Sequence, residues 1–227
     1  MILPDGGLRV VGDVHGDLRA FAAAAATDLF VIQLGDLVDY GPDSAGVLRL
    51  MFRLIDERRG AFVLGNHDLK LARALGGRQV RVDGPLAATL RQMDPVLRER
   101  TAAELSRAPA WLRRRHAGRT EIFVHGGFHT EMMDSDPPPP PAGHLHGVLA
   151  RALYGEPTGR IQPDGYPERS LKWVDRIPAD TSVFVGHDRR SSDGRPYVRR
   201  NAQGGVAMFL DTGAGKGGHL SWIDLPG

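Results

Sequence analysis

LRVVGDVHGD, residues 8–17, decides how this chain is read. Leu8, Val10 and Val11 make a short apolar run that closes on Gly12, Asp13, His15, Gly16 and Asp17. A run this short and rich in β-branched residues reads as a strand buried on both faces. The acids and the histidine therefore crowd its carboxyl end. The pattern recurs in LFVIQLGD (29–36), AFVLGNHD (61–68), EIFVHGG (121–127), SVFVGHD (182–188) and VAMFLDTG (206–213). Between the first three runs lie helical patterns: an alanine-rich one over 18–26, and 44–58 with apolar residues three and four apart. The order β-α-β-α-β is that of a layered α/β fold.

The chain has 227 residues, which points to one domain over 1–227. Its 41% hydrophobic and 25% charged residues are those of a globular protein. Net charge is only +2 and the pI 9.2, a mild basicity that does not by itself call for nucleic acid. Without cysteine there is no disulfide, thiolate ligand or cysteine nucleophile, so any metal must be held by nitrogen and oxygen. No signal-peptide pattern and no uninterrupted apolar stretch of about 18 residues is present, which makes the cytoplasm the default expectation and argues against a membrane partner. Residues 69–120 carry Leu, Ala and Arg at helical spacing and are expected to form a helical cap insertion. Within it Trp111 and Arg113–Arg115 read as a solvated helix face in preference to a nucleic-acid contact. The stretch DSDPPPPPAG (134–143) should be an extended, exposed loop. After it, 144–154 looks helical, 155–167 looks like loop, 169–173 starts a short helix, and strands follow from Thr181 to the closing HLSWIDL.

Each of the six runs ends in chemistry: Asp13 with His15, Asp36 with Asp39, Asn66 with His67, His125, His187, and Asp211. Sites in open α/β sheets form outside the carboxyl ends of strands, so these residues are expected to converge. Carboxylates and imidazoles without thiols suit Mn, Fe, Zn or Co better than an all-oxygen calcium cage. Six or seven candidate ligands exceed one tetrahedral centre, and a carboxylate such as Asp36 can bridge two ions roughly 3.5–4 Å apart. Taken singly, Asp36 or Asp39 reads as a helix cap, Asn66 as a turn residue, and His125 or His187 as a satisfied core histidine. Together they argue for a metal site. Asp17 is expected to cap a helix, and His116, His129, His144, His146 and His219 to be loop or solvated histidines, His129 being the one to watch because it follows His125 in HGGFH.

GDVHG, GDLVDYG, GNHD, HGG and GHD, in this order, resemble the phosphoprotein phosphatase branch of the calcineurin-like metallophosphoesterases, small bacterial type, from about residue 8 to the C-terminus. The resemblance implies a four-layer α/β/β/α sandwich with two mixed β-sheets. It implies that Asp13 and His15 bind one metal, Asp36 bridges, and Asn66, His125 and His187 bind the second. His67 would be the general acid and Asp39 the carboxylate that orients it. Two divalent ions are implied, manganese foremost, with iron, zinc, cobalt or nickel as alternatives. The implied reaction is in-line attack on phosphorus by a hydroxide bridging the ions. The partner would be a phosphorylated substrate: nominally phosphoserine or phosphothreonine in proteins, alternatively a dinucleoside polyphosphate of the diadenosine tetraphosphate type or an RNA or nucleotide phosphate. A non-catalytic, metal-stabilised binding module is a further alternative, motivated by Tyr40. That residue stands where the family pattern has an arginine that grips the phosphate. Its hydroxyl can hydrogen-bond phosphate without bringing charge, so Arg169, Arg189 or Arg190 is expected to supply the cation. Lys216, in FLDTGAGKGG, is also placed to meet phosphate, although the stretch is not a P-loop. FLDTG resembles the IDTG segment of small bacterial members, and Asp211 in it is expected to hydrogen-bond a metal-bound histidine from behind. Asp68, where glutamate is common, is given no weight.

Overall fold

The computed structural model describes residues 3–139, 145–162 and 165–227. From the N-terminus run β1 (Leu8–Val11), α1 (Leu18–Ala25), β2 (Phe30–Gln33), α2 (Ser44–Asp56) and β3 (Gly60–Phe62). Three helices follow, α3 (Asn66–Leu75), α4 (Gly84–Gln92) and α5 (Pro95–Arg107), then β4 (Trp111–His116) and β5 (Arg119–Val124). Beyond a short 3-10 helix at Thr130–Met133 come α6 (Gly147–Tyr154), β6 (Pro157–Ile161) and β7 (Pro167–Arg169). A second 3-10 helix, Lys172–Arg176, leads to β8 (Thr181–Val185), β9 (Tyr197–Arg200), β10 (Val206–Phe209) and β11 (Trp222–Leu225).

All six apolar runs are strands, and they divide between two mixed sheets. One has the order β11-β1-β2-β3, with β1, β2 and β3 parallel and β11 antiparallel at the edge. The other has the order β4-β5-β8-β10-β9, its three central strands parallel and both edges antiparallel. Strand alternation sends one set of side chains between the sheets. Leu8, Val10, Ile32, Leu34, Ala61 and Val63 from the first sheet share one buried cluster with Leu112, Phe123, Phe184 and Leu210 from the second. Phe123 and Phe184, paired in register, stack with centroids 5.1 Å apart. The intervening residues, such as Val11, Val31, Val124 and Val185, pack in a second cluster with helical residues including Phe21, Leu48, Met51 and Leu149. This gives the helix–sheet–sheet–helix layering that the resemblance implies.

Several expectations need correction. The helices of the proposed 69–120 cap end at Arg107, and Trp111–His116 is a strand. Ala117 and Gly118 both have positive φ, +47° and +74°, the conformation of a two-residue turn whose twist matches paired strands. That turn folds β4 onto β5. Arg114 is accordingly a buried residue whose guanidinium meets Glu121 at 2.6 Å, instead of lying on a solvated helix face. Residues expected as loop between 155 and 167 contain β6 and the start of β7, a small hairpin stitched by Arg160–Glu168. The short helix expected at 169–173 begins only at Lys172. Residues 140–144, which hold the end of the proline stretch and His144, lie outside the described residues.

Candidate active site

Each candidate residue sits just past a strand of one sheet or the other, so the constellation straddles the seam between them. Asp13 and His15 follow β1, Asp36, Asp39 and Tyr40 follow β2, and Asn66 and His67 open α3 after β3. His125 follows β5, His187 follows β8 and Asp211 follows β10. The loops are cross-braced by backbone. Val14 and His15 both donate to the Asp36 carbonyl, and the His187 N–H donates to the Asp13 carboxylate at 3.1 Å. Among the described residues, seven non-glycine residues have positive φ; five of them are His15, Asp36, Asp39, Tyr40 and His187. Such conformations cost energy and persist where the surroundings enforce them, which is characteristic of functional sites. The simpler role for Asp36 and Asp39 falls away, because Asp43 caps α2 by accepting from Gly46 N–H. Asp17 does cap α1.

The orientation of the histidines shows what the cluster needs. His15 Nδ1 lies 2.9 Å from the Val38 carbonyl, which can only accept, so Nδ1 carries the hydrogen and Nε2 presents a lone pair. That buried Nε2 has no hydrogen-bond partner and faces Asp36 Oδ2 at 3.5 Å and Asp13 Oδ2 at 3.9 Å. His125 repeats the pattern: Nδ1 on the Leu34 carbonyl at 2.8 Å, Nε2 facing Asp36 Oδ1 at 3.4 Å and the Asn66 amide at 3.0 Å. Burial opposes protonating either ring; it pulls His15 down to about 3 and lowers His125 and His187. Burial, reinforced by Asp211 and Asp36, pushes Asp13 well above the usual carboxylate range. Lone pairs directed at carboxylates in a dry cluster repel unless cations lie between them. The ligand atoms fall in two groups, Asp13–His15–Asp36 and Asp36–His125–His187, each within 4.8 Å and sharing Asp36. This donor set fits a pair of divalent cations held by nitrogen and oxygen.

Beside the cluster, His67 Nδ1 lies 2.7 Å from Asp39 Oδ2. Burial works against the imidazolium, but the Asp36 charge and the Asp39 hydrogen bond outweigh it and hold His67 above its ordinary pKa. The other Asp39 oxygen accepts from Thr89 Oγ1 at 2.8 Å, and the Asp39 N–H donates to Ser44 Oγ. Thr89 comes from α4, which carries no motif and gave no sequence signal. Asp68 was also missed: its fully buried carboxylate accepts from the N–H groups of Asp36, Leu37 and Gly65, and so fixes the turn that presents Asp36. Asp211 is buried near Asp13, but its carboxylate accepts from Gly213 N–H. The rings of His15 and His125 are oriented by the carbonyls of Val38 and Leu34, not by Asp211 as expected.

A cavity of about 600 Å³ opens at the cluster, lined by Asp36, Asn66, His67, His187 and Asp211 and also by Tyr40, Tyr154, Tyr166, Arg169, Arg189 and Lys216. Arg169 Nη2 reaches His187 Nε2 at 2.8 Å. Arg190 does not line the cavity; it pairs with Asp188 at 2.6 Å. Among the described residues, His116, His129, His146 and His219 stay outside the cluster, His129 accepting from Glu131 N–H at the start of a 3-10 helix.

The family model for calcineurin-like phosphoesterases matches residues 8–203. The chain belongs to that family. A calcineurin-like phosphoesterase is a metal-dependent hydrolase of phosphoesters, so the reading as a non-catalytic binding module is set aside. Curated relatives include the asymmetrical bis(5'-nucleosyl)-tetraphosphatase PrpE of Geobacillus thermodenitrificans, 28% identical over 96% of this chain and 89% of that protein. The symmetrical bis(5'-nucleosyl)-tetraphosphatase of Ralstonia nicotianae is also 28% identical, over 96% of this chain and 73% of its own. A serine/threonine phosphatase from Saccharomyces cerevisiae with similarity to human PP5 shares the fold, with TM-score 0.62, 18% identity, and coverage of 92% of this chain and 68% of that one. Among the described residues, no helix of this calcineurin-like phosphoesterase is long and apolar enough to cross a membrane.

Proposed function

We propose that this chain hydrolyses the phosphoanhydride chain of dinucleoside polyphosphates of the diadenosine tetraphosphate type. The nominal reading as a serine/threonine protein phosphatase gives way, because the curated relatives that span most of the chain are tetraphosphatases. The fold is common to tetraphosphatases and protein phosphatases and cannot choose between them. The observation that carries the choice is aromatic: of the four tyrosines in the chain, Tyr40, Tyr154 and Tyr166 all line the cavity over the cluster. They are 42%, 37% and 52% exposed, so each keeps ring surface open to a bound group. Aromatic faces of this kind stack nucleobases, worth about 1–3 kcal/mol per base, whereas a phosphopeptide offers no such group at a fixed distance from its phosphate.

In this reading Asp13, His15, Asp36, Asn66, His125 and His187 hold two divalent ions. When bound, such ions polarise phosphoryl oxygens and lower the pKa of an attacking water. The chain's own contribution is positional. Asp39 holds the His67 imidazolium at the edge of the cavity, where it delivers a proton to the departing oxygen. Arg169 and Arg189, which line the same cavity, bring positive charge to the phosphate chain, and Tyr154 and Tyr166 hold a base. The test is a substrate panel with manganese-loaded protein: diadenosine tetraphosphate, a phosphoserine peptide and 5'- and 3'-phosphorylated RNA, each resolved chromatographically. The expected outcome is preferential cleavage of the tetraphosphate. Turnover of the phosphopeptide with no nucleotide product would reverse the assignment.

A further inference from the structure

We infer that Lys216 supplies the phosphate-gripping positive charge that the family pattern places on an arginine at position 40. The inference rests on the phosphoesterase reading of the site, though not on which phosphate compound is cleaved. Lys216 Nζ sits 4.5 Å from the centroid of the Tyr40 ring. That ring in turn packs edge-on to His15 at 5.1 Å and to His67 at 5.2 Å. Position 40 therefore lies between one candidate ligand and the candidate acid, and the charge missing from its own side chain arrives from the loop after β10.

The backbone of that loop is built to hold the lysine there. Gly213, Gly215 and Gly217 have φ of +86°, +68° and +83°, a conformation natural to glycine. A Cβ on Gly215 would lie 2.2 Å from the His15 carbonyl oxygen, so the loop lies directly against the backbone of a cluster residue. The Lys216 N–H closes the turn onto the Gly213 carbonyl at 3.0 Å. Its ammonium rests on the Tyr40 ring and, among the described residues, forms no ion pair with a carboxylate. The other cations at the cavity are placed differently. Arg169 is engaged with His187 and with the carbonyls of Tyr154 and Pro167, and Arg189 is exposed at the rim.

The exchange has a chemical consequence. A guanidinium binds two oxygens of a terminal phosphate in a planar fork, whereas an ammonium held on an aromatic face is a point charge that one oxygen satisfies. A phosphate inside a chain, with substituents on both sides, is served by the second kind of contact.

The test uses full-length, manganese-loaded protein and inorganic phosphate as the probe, read both by calorimetric binding and by inhibition of aryl phosphate hydrolysis. Lys216→Met should weaken phosphate binding and raise KM by about ten-fold or more, change kcat less, and leave the manganese content unaltered. Lys216→Arg should retain most of the binding. Tyr40→Arg added to Lys216→Met should recover it. Unchanged phosphate affinity in a fully metal-loaded Lys216→Met protein would overturn the inference, as would loss of metal in that variant, because the lysine would then be a structural element of the cluster. Failure of the wild-type protein to cleave any dinucleoside polyphosphate, with phosphate binding still dependent on Lys216, would retire the substrate assignment and keep this one.

Discussion

At His67 the value of a held proton depends on what departs. Asp39 fixes the ring through one carboxylate oxygen at 2.7 Å, and Thr89 fixes Asp39 through the other, so the imidazolium is both favoured and aimed. A serine alkoxide leaves poorly without that proton. A nucleotide leaves from a phosphate oxygen, a group whose second pKa is about 6, and needs it less. His67→Ala is therefore expected to lower kcat by about 10²–10⁴ on an alkyl phosphomonoester and by distinctly less on diadenosine tetraphosphate, with metal content unchanged. Steady-state kinetics on both substrates, with elemental analysis, checks this. Equal losses on the two would deny His67 the role of proton donor, and loss of metal would make it part of the cluster.

At the scale of elements, the Asp68 carboxylate ties α3 to the turn after β2, beside the bonds that His67 makes to Asp36 and Asp39. Asp68, in the first turn of α3, gathers the N–H groups of Gly65, Asp36 and Leu37 in a fully buried setting. Burial and the neighbouring Asp36 push its carboxyl up to about 7, yet the three donors point at it as an acceptor. Asp68→Ala leaves buried donors unpaired at roughly 1–3 kcal/mol each. The expected cost is about 3 kcal/mol or more in urea denaturation, accompanied by weaker metal binding because Asp36 is no longer presented. A variant as stable as the wild type, with full metal content, would show that the turn holds without it. Asp68 was legible as a position in GNHD but not as a keystone, because two of its three partners are backbone N–H groups 32 and 31 residues earlier in the chain. The strand ends were legible for the opposite reason: buried parallel strands must be apolar, so a polar cluster at their close stands out. The β4 strand was not legible. Its arginines share helix-like spacing with the preceding segment, and only the Ala117–Gly118 turn and the Arg114–Glu121 pair show it to be half of a hairpin. Likewise β6 is exposed along its length and, among the described residues, pairs only with β7, so no buried face marks it in the sequence. Tyr154 and Tyr166 lie outside every motif, and only the fold brings them to the cavity.

For the molecule as a whole, the cluster is a load shared by both sheets. His125, from the second sheet, donates to the Leu34 carbonyl beyond β2 of the first, and His187 N–H donates to Asp13 after β1. Gly12 is packed so tightly against the loop after β10 that a Cβ there would lie 2.1 Å from the Leu210 carbonyl oxygen. Asp13, Asp36 and Asp211, all buried, bring three carboxylates to this seam. Without cations these charges and the lone pairs of His15 and His125 repel across the sheet–sheet junction; with cations they draw it together. Metal binding to the folded state alone stabilises it by RT ln(1 + [M]/Kd), about 2.7 kcal/mol at a hundred-fold excess over Kd. For a chain of this size, that corresponds to a Tm rise of about 5–11 °C. Differential scanning calorimetry of chelated and manganese-loaded protein should show this rise. Asp13→Asn should abolish it, while leaving the chelated variant no less stable than chelated wild type, because one of the repelling charges has gone. A chelated Asp13→Asn protein that melts well below chelated wild type would mean that Asp13 is held by its hydrogen bonds from His187 and serves the fold before it serves a metal.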